Sequence, residues 1–184
     1  HMYEEQFLVV DGRDTTEVWV DGNPKKLTFE WQKGSIFAIP MNATHRIVNA
    51  TSSPALLLAG TTAPNVMNIF GSEDFIFNCP YQFKDRFDPS DDYYKYKEEV
   101  TPDPVRGLAM RQTNIIPDVM ACGLPMDNRR SPGYRRIEPH MAGQHFYMLV
   151  GQHETRRYSK AHHPGSAAVV IFFRGESYTY TWPP

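Results

Sequence analysis

The chemistry in this chain starts from one histidine. His45 lies in the stretch Gly34 to Asn49, GSIFAIPMNATHRIVN, where a short apolar run ends at a Pro-centred turn and a second run begins. Ser35 to Ile39 is rich in Ile and Phe and has strand character, and Pro40-Met41-Asn42 supplies turn residues that stop it. His45 then opens the next strand. An imidazole at a strand mouth sits on a rigid frame near solvent, where it can bind a metal at low ordering cost. A lone histidine in such a place is more often a hydrogen-bonded loop residue than a ligand, so the assignment depends on its company. Other catalytic arrangements are missing: no Gly-rich phosphate loop, nucleophile elbow or Cys-His pairing stands out.

The spacing Gly34, Pro40, His45, Asn49 resembles the second motif of the cupin family, with Asn42 where that family has a further Gly. Asn is a mild departure, since it tolerates a left-handed backbone. The family's first motif has two His one residue apart, then Glu, then Gly. Glu5, followed by QFLVVD and Gly12, matches the tail of that motif, and His1 lies where its second His would stand. His1-Met2 at a chain start also matches what a cleaved expression tag leaves behind. The resemblance therefore implies a metal site of His45 and Glu5, with His1 as a third ligand.

The elements that must position these groups are closely spaced. Glu5 to Val10, Thr16 to Val20, Leu27 to Trp31, Ser35 to Ile39, Arg46 to Asn49 and Ala55 to Thr61 have strand character. Turn signals at Gly12, Asp21-Gly22, Lys33-Gly34 and Thr51 to Pro54 separate them, which predicts an antiparallel sandwich or barrel. Phe7, Val9, Trp19, Phe29, Phe37 and Ile39 are expected to face its interior. The resemblance implies an all-β cupin double-stranded β-helix or jelly-roll barrel, with a strand content of roughly 35 to 50%. From Ala63 a short helix and irregular packing are expected. Residues 85–140 are read as a linker, with a short helix starting at Ser90-Asp91-Asp92 and exposed basic pairs at Arg129-Arg130 and Arg135-Arg136.

Strand character returns at His145 to Val150, Thr155 to Tyr158, Ala167 to Arg174 and Ser177 to Trp182. The end repeats the beginning: Gly12 and Gly175 each follow four large apolar residues and each precede a Trp by seven positions, Trp19 and Trp182. Such self-similarity suggests two copies of one unit. The chain thus resembles a bicupin: residues 1–84 a first barrel, 141–184 the opening strands of a second, truncated at both ends or offset by one repeat. His163 takes the place of a motif His in the second copy, whereas Ala168 stands where the Glu would be and Ala161 where the first His would be. His162 substitutes for the latter only with a one-residue shift.

With 184 residues, of which 41% are hydrophobic, the chain can bury a core. A net charge of -2 gives no basic field for nucleic acid. The apolar runs are too short to span a bilayer and no signal peptide opens the chain, so no membrane partner and a cytoplasmic location are expected. Cys79 and Cys122 are too far apart to suggest a disulfide framework. Unpaired strand edges left by the truncated pattern predict a homodimer. The resemblance implies a divalent metal (Fe, Mn, Zn, Ni or Cu) and an enzyme acting on a small polar organic substrate, as oxygenase, isomerase or decarboxylase. The alternative is a non-catalytic ligand-binding or storage-type bicupin.

Overall fold

The structure is a computed structural model and describes residues 1–146, 148–163 and 168–183. It is mostly β, 30% strand and 8% helix. The six strands of the first third are β1 (Glu5–Asp11), β2 (Arg13–Trp19), β3 (Lys26–Gln32), β4 (Ile36–Ile39), β5 (Thr44–Ile47) and β6 (Leu56–Thr61). Two helices follow, α1 (Ala63–Phe70) and α2 (Glu73–Asn78), then the short strands β7 (Thr101–Pro102), β8 (Ala109–Gln112), β9 (Ile115–Ile116), β10 (Arg135–His140) and β11 (Val150–Gln152).

These strands form three sheets, in the orders β6-β1-β4-β9, β3-β2-β5 and β11-β10-β8-β7. All pairings are antiparallel except the parallel β8-β10 pair. No closure into a barrel is seen among the described residues. The first sheet is the middle layer, because alternate residues of its strands enter different cores. Phe7, Val9, Phe37 and Ile39 pack with Val18, Leu27, Phe29 and Trp31 of the second sheet. Leu8, Ile36 and Ala38, on the opposite face, pack with Ile137 and Met141 beside the third. Burial on both faces explains why Phe7 to Val10 of β1 and all of β4 are unbroken apolar runs while β3 alternates strictly.

Of the six residues expected to point inward, five are buried. Trp19 is not: its neighbour Val18 is fully enclosed, and Trp19 lies half-buried with the Lys26 ammonium 4.2 Å from its ring centroid. Thr16 and Val18 take the inward positions on β2, and a period of two leaves residue 19 on the other face. The buried Trp31 indole donates to Thr16 Oγ1 at 3.0 Å, satisfying both polar groups inside the core.

Residues 85–140 contribute side chains to both cores. Phe87 and Ile115 belong to the first core, and β9 adds to the edge of β4. No helix forms over residues 90–100; a turn places Tyr93 and Tyr94 instead. Tyr93 donates to Arg86 O at 2.7 Å and Tyr94 to Ala38 O at 3.0 Å, with the Tyr94 ring stacked on Phe29 at 4.0 Å. The helices lie earlier, where Pro64 occupies the first turn of α1, Gly71 ends it in a left-handed conformation, and Ser72 Oγ accepts the Phe75 N–H to cap α2. Arg136, expected at the surface, is buried and pairs with Glu138 and with Asp127 at 3.5 Å.

The strands expected near the end are largely absent. Residues 155–158, 168–174 and 177–182 are irregular, with Val170, Phe172, Tyr178 and Trp182 exposed; the part of that reading on Ala167 lies outside the described residues. Strand content falls below the expected range for this reason. Apolar alternation makes a strand only where a neighbour supplies hydrogen bonds, and no described strand pairs with these residues.

Candidate metal centre

His1, Glu5 and His45 each offer one ligand atom, and these atoms all lie within 4.8 Å of one another. They come from three separate places. Glu5 opens β1, and its Cα is in register with Ile39 at the end of β4 and with Thr61 at the end of β6. His45 stands on β5, paired with Val18 of β2 within the second sheet. His1 precedes β1, and its carbonyl accepts the Asn42 N–H at 2.9 Å. The β4–β5 turn therefore joins all three: it carries the chain from one sheet to the other and holds the segment before β1.

That turn owes its shape to the residues singled out in the sequence. Pro40 is fully buried, and Asn42 adopts φ 58°, the left-handed conformation in which Asn can replace Gly. The Asn42 side-chain amide donates to Cys79 O at 2.8 Å and Tyr81 O at 2.7 Å, tying the turn to the segment after α2. Gly34 has φ 88°, and a Cβ there would meet Asp118 Oδ1 at 2.8 Å. Asn49 is exposed and bonds Ser53 O, so it fixes the following loop rather than the site.

Each imidazole is oriented by a backbone carbonyl two residues away. His45 Nδ1 lies 3.3 Å from Ala43 O, and His1 Nδ1 lies 3.2 Å from Tyr3 O. Because a carbonyl only accepts, each Nδ1 carries the proton in its bond; in a neutral ring His45 Nε2 then keeps a free lone pair, whereas His1 Nε2 faces a carboxylate, a contact that is favourable only with a proton or a cation between the two atoms. His1 Nε2 approaches Glu5 Oε2 at 3.2 Å. Metal–ligand bonds of about 2.0–2.2 Å put ligand atoms about 3.0–3.5 Å apart, so this pair already has the spacing a metal imposes. Burial pushes the His45 pKa below its ordinary value; the Ala43 carbonyl and the Glu5 charge oppose this, and His1 adds to the depression. A neutral imidazole is the form that binds metal.

Tyr3 was not singled out in the sequence, yet its ring stacks on His1 with centroids 3.6 Å apart and meets Phe77 edge-on at 6.3 Å. Burial, then the Glu5 charge, raises the Tyr3 pKa, so its hydroxyl stays protonated beside the carboxylate. Nothing in local sequence marks this role, because Phe77 reaches Tyr3 from a distant helix. Glu4, next to Glu5, is buried and accepts from Arg86 Nη1 at 3.0 Å, His145 N at 2.9 Å and Phe146 N at 2.8 Å. Gln144 Nε2 bonds both Glu5 O and Ile39 O, at 3.1 and 2.7 Å. The segment 144–146 is thereby fastened to the backbone that carries Glu5.

His163 is exposed in the irregular end of the chain and is not part of this group. His162 lies equally exposed, with Nε2 3.3 Å from Arg130 Nη1. One feature does repeat: Gly175 has φ 86°, close to the 91° of Gly12. No helix among the described residues is long and apolar enough to cross a membrane. No protein-family model, curated protein or solved structure matches this chain.

Proposed function

We propose that His1, Glu5 and His45 hold a divalent transition metal, and that the protein is a metal-dependent enzyme of the cupin type acting on a small polar organic substrate. The observation that carries this reading is the convergence of two imidazoles and one carboxylate, each offering one ligand atom within 4.8 Å of the others, where strands of two sheets come together. Two His and one carboxylate suit Fe, Mn, Zn, Ni or Cu and leave coordination positions open for water or substrate. A metal bound there supplies Lewis-acid polarisation of a carbonyl or carboxylate oxygen, or redox chemistry if it is iron. The protein's own part is orientation. The Ala43 and Tyr3 carbonyls fix the imidazole tautomers, and Gln144 holds the strand ends on either side of Glu5.

A non-catalytic binding protein is the second reading, favoured by one observation: the cleft at Asp11–Arg13 has none of the three candidate ligands among its lining residues. Metal analysis decides the first step. Wild-type protein is expected to retain one equivalent of metal after gel filtration, His45→Ala and Glu5→Gln to lose it, and His163→Ala to keep it. Metal at about 100 times its Kd stabilises the fold by about 2.7 kcal/mol. For a chain of this size that raises Tm by roughly 5–10 °C. The same rise in His45→Ala would refute the site. Turnover of small oxo or hydroxy acids by the loaded protein separates the enzyme from the binding protein.

A further inference from the structure

At the far end of β1 from the metal ligands, six residues or roughly 20 Å along the strand, lies a cleft of about 630 Å³. That volume is in the range of small-molecule sites. Its floor is backbone: Gly12 and Gly34 both have positive φ, and a Cβ on either would come within 2.8 Å of Ala55 or Asp118.

The charges around this floor are unevenly used. Lys33 makes a loose, exposed pair with Asp11 at 3.6 Å, and Asp118 Oδ1 already accepts the Met120 N–H at 2.8 Å. Arg13 and Arg174, which both line the cleft, make no side-chain hydrogen bond or ion pair with any described residue. Two guanidinium groups with unspent donors thus face one space, and Phe173 and Met120 give it apolar surface. Guanidinium forks match planar oxyanions in two-point contacts. We propose that this cleft binds a small organic anion, with a carboxylate or phosphate ester held by Arg13 and Arg174 and an apolar body resting on Phe173 and Met120. The site shares no residue with the metal centre, and it is lined by Gly12-Arg13 from one copy of the sequence repeat and Phe173-Arg174 from the other.

Calorimetric titration of the full chain with phenyl phosphate and benzoate tests this, with inorganic phosphate and phenol as the two halves of the probe. Saturable one-to-one binding of at least one aromatic anion is expected, weakened by added salt and much weaker for either half alone. Arg13→Ala and Arg174→Ala should each weaken it about tenfold, the cost of one charge-assisted contact. Both arginines are exposed, so folding is expected to survive, with an unchanged Tm as the check. Arg46→Ala, at a distant charged site, and His45→Ala should bind like the wild type. Three results would overturn the proposal: no saturable binding of either anion, equal loss in Arg46→Ala, or full binding by the Arg13, Arg174 double variant. Inorganic phosphate binding as tightly as phenyl phosphate would overturn the assignment of an apolar body.

Discussion

Glu4→Gln is a sharp test of how the segment 144–146 is fastened beside Glu5. Glu4 Oε2 accepts the backbone N–H groups of His145 and Phe146, while Oε1 faces Arg86 Nη1 at 3.0 Å and His145 Nδ1 at 3.3 Å. A glutamine can keep its carbonyl oxygen on the two backbone donors, but its NH₂ then points at the Arg86 guanidinium, donor against donor. One hydrogen bond to a charged group is lost, a cost of about 1.5–3 kcal/mol. The two retained bonds also weaken, because their acceptor is no longer charged. A total of roughly 2–4 kcal/mol lowers Tm by roughly 4–16 °C for this chain length.

The pH dependence gives the same substitution a second readout. Burial by itself raises the Glu4 pKa, but the bonds from Phe146, His145 and Arg86 outweigh it and leave the value below the usual 4.5. A carboxyl group with a lowered folded pKa contributes stability above its unfolded pKa and loses it as pH falls through the folded value. The gap between wild type and Glu4→Gln should therefore be full at pH 7, start to close below about pH 4.5 and vanish in stronger acid. Urea unfolding at a series of pH values measures it. An unchanged midpoint at pH 7, or a gap that persists undiminished in acid, would refute the reasoning.

Phe37→Ala should be among the costliest single changes, about 3–5 kcal/mol in urea titration, because Phe37 is fully buried against Phe7 and Phe29 with centroids 5.2 and 5.1 Å away. Gly34→Ala forces a side chain onto φ 88° and against Asp118 Oδ1, and a loss of roughly 1–3 kcal/mol is expected. The same change at Gly22, which has positive φ but open space around it, should cost less; equal losses at the two positions would show that the Asp118 contact contributes nothing.

What the sequence determined by itself is local. The strand spacing from Glu5 to Thr61 and the turns at Gly12, Gly34 and Asn42 follow from period-two patterning and from residues that accept positive φ, and both are properties of short stretches. Tertiary structure decided the rest. Val18 rather than Trp19 enters the core because the β2–β3 register, not the size of the side chain, selects the inward face. Tyr93 and Tyr94 fasten a stretch that looks solvated, since their partners Arg86 O and Ala38 O are backbone atoms that no motif marks. The run Val170 to Phe173 resembles Phe7 to Val10 yet forms no strand, because β1 has β4 and β6 beside it and the later run has no described neighbour. The candidate site divides in the same way. The residue types and spacing of Glu5 and His45 are written in the sequence, but their approach to within 4.8 Å depends on two sheets meeting at the β4–β5 turn, a long-range pairing that short-range patterning does not encode.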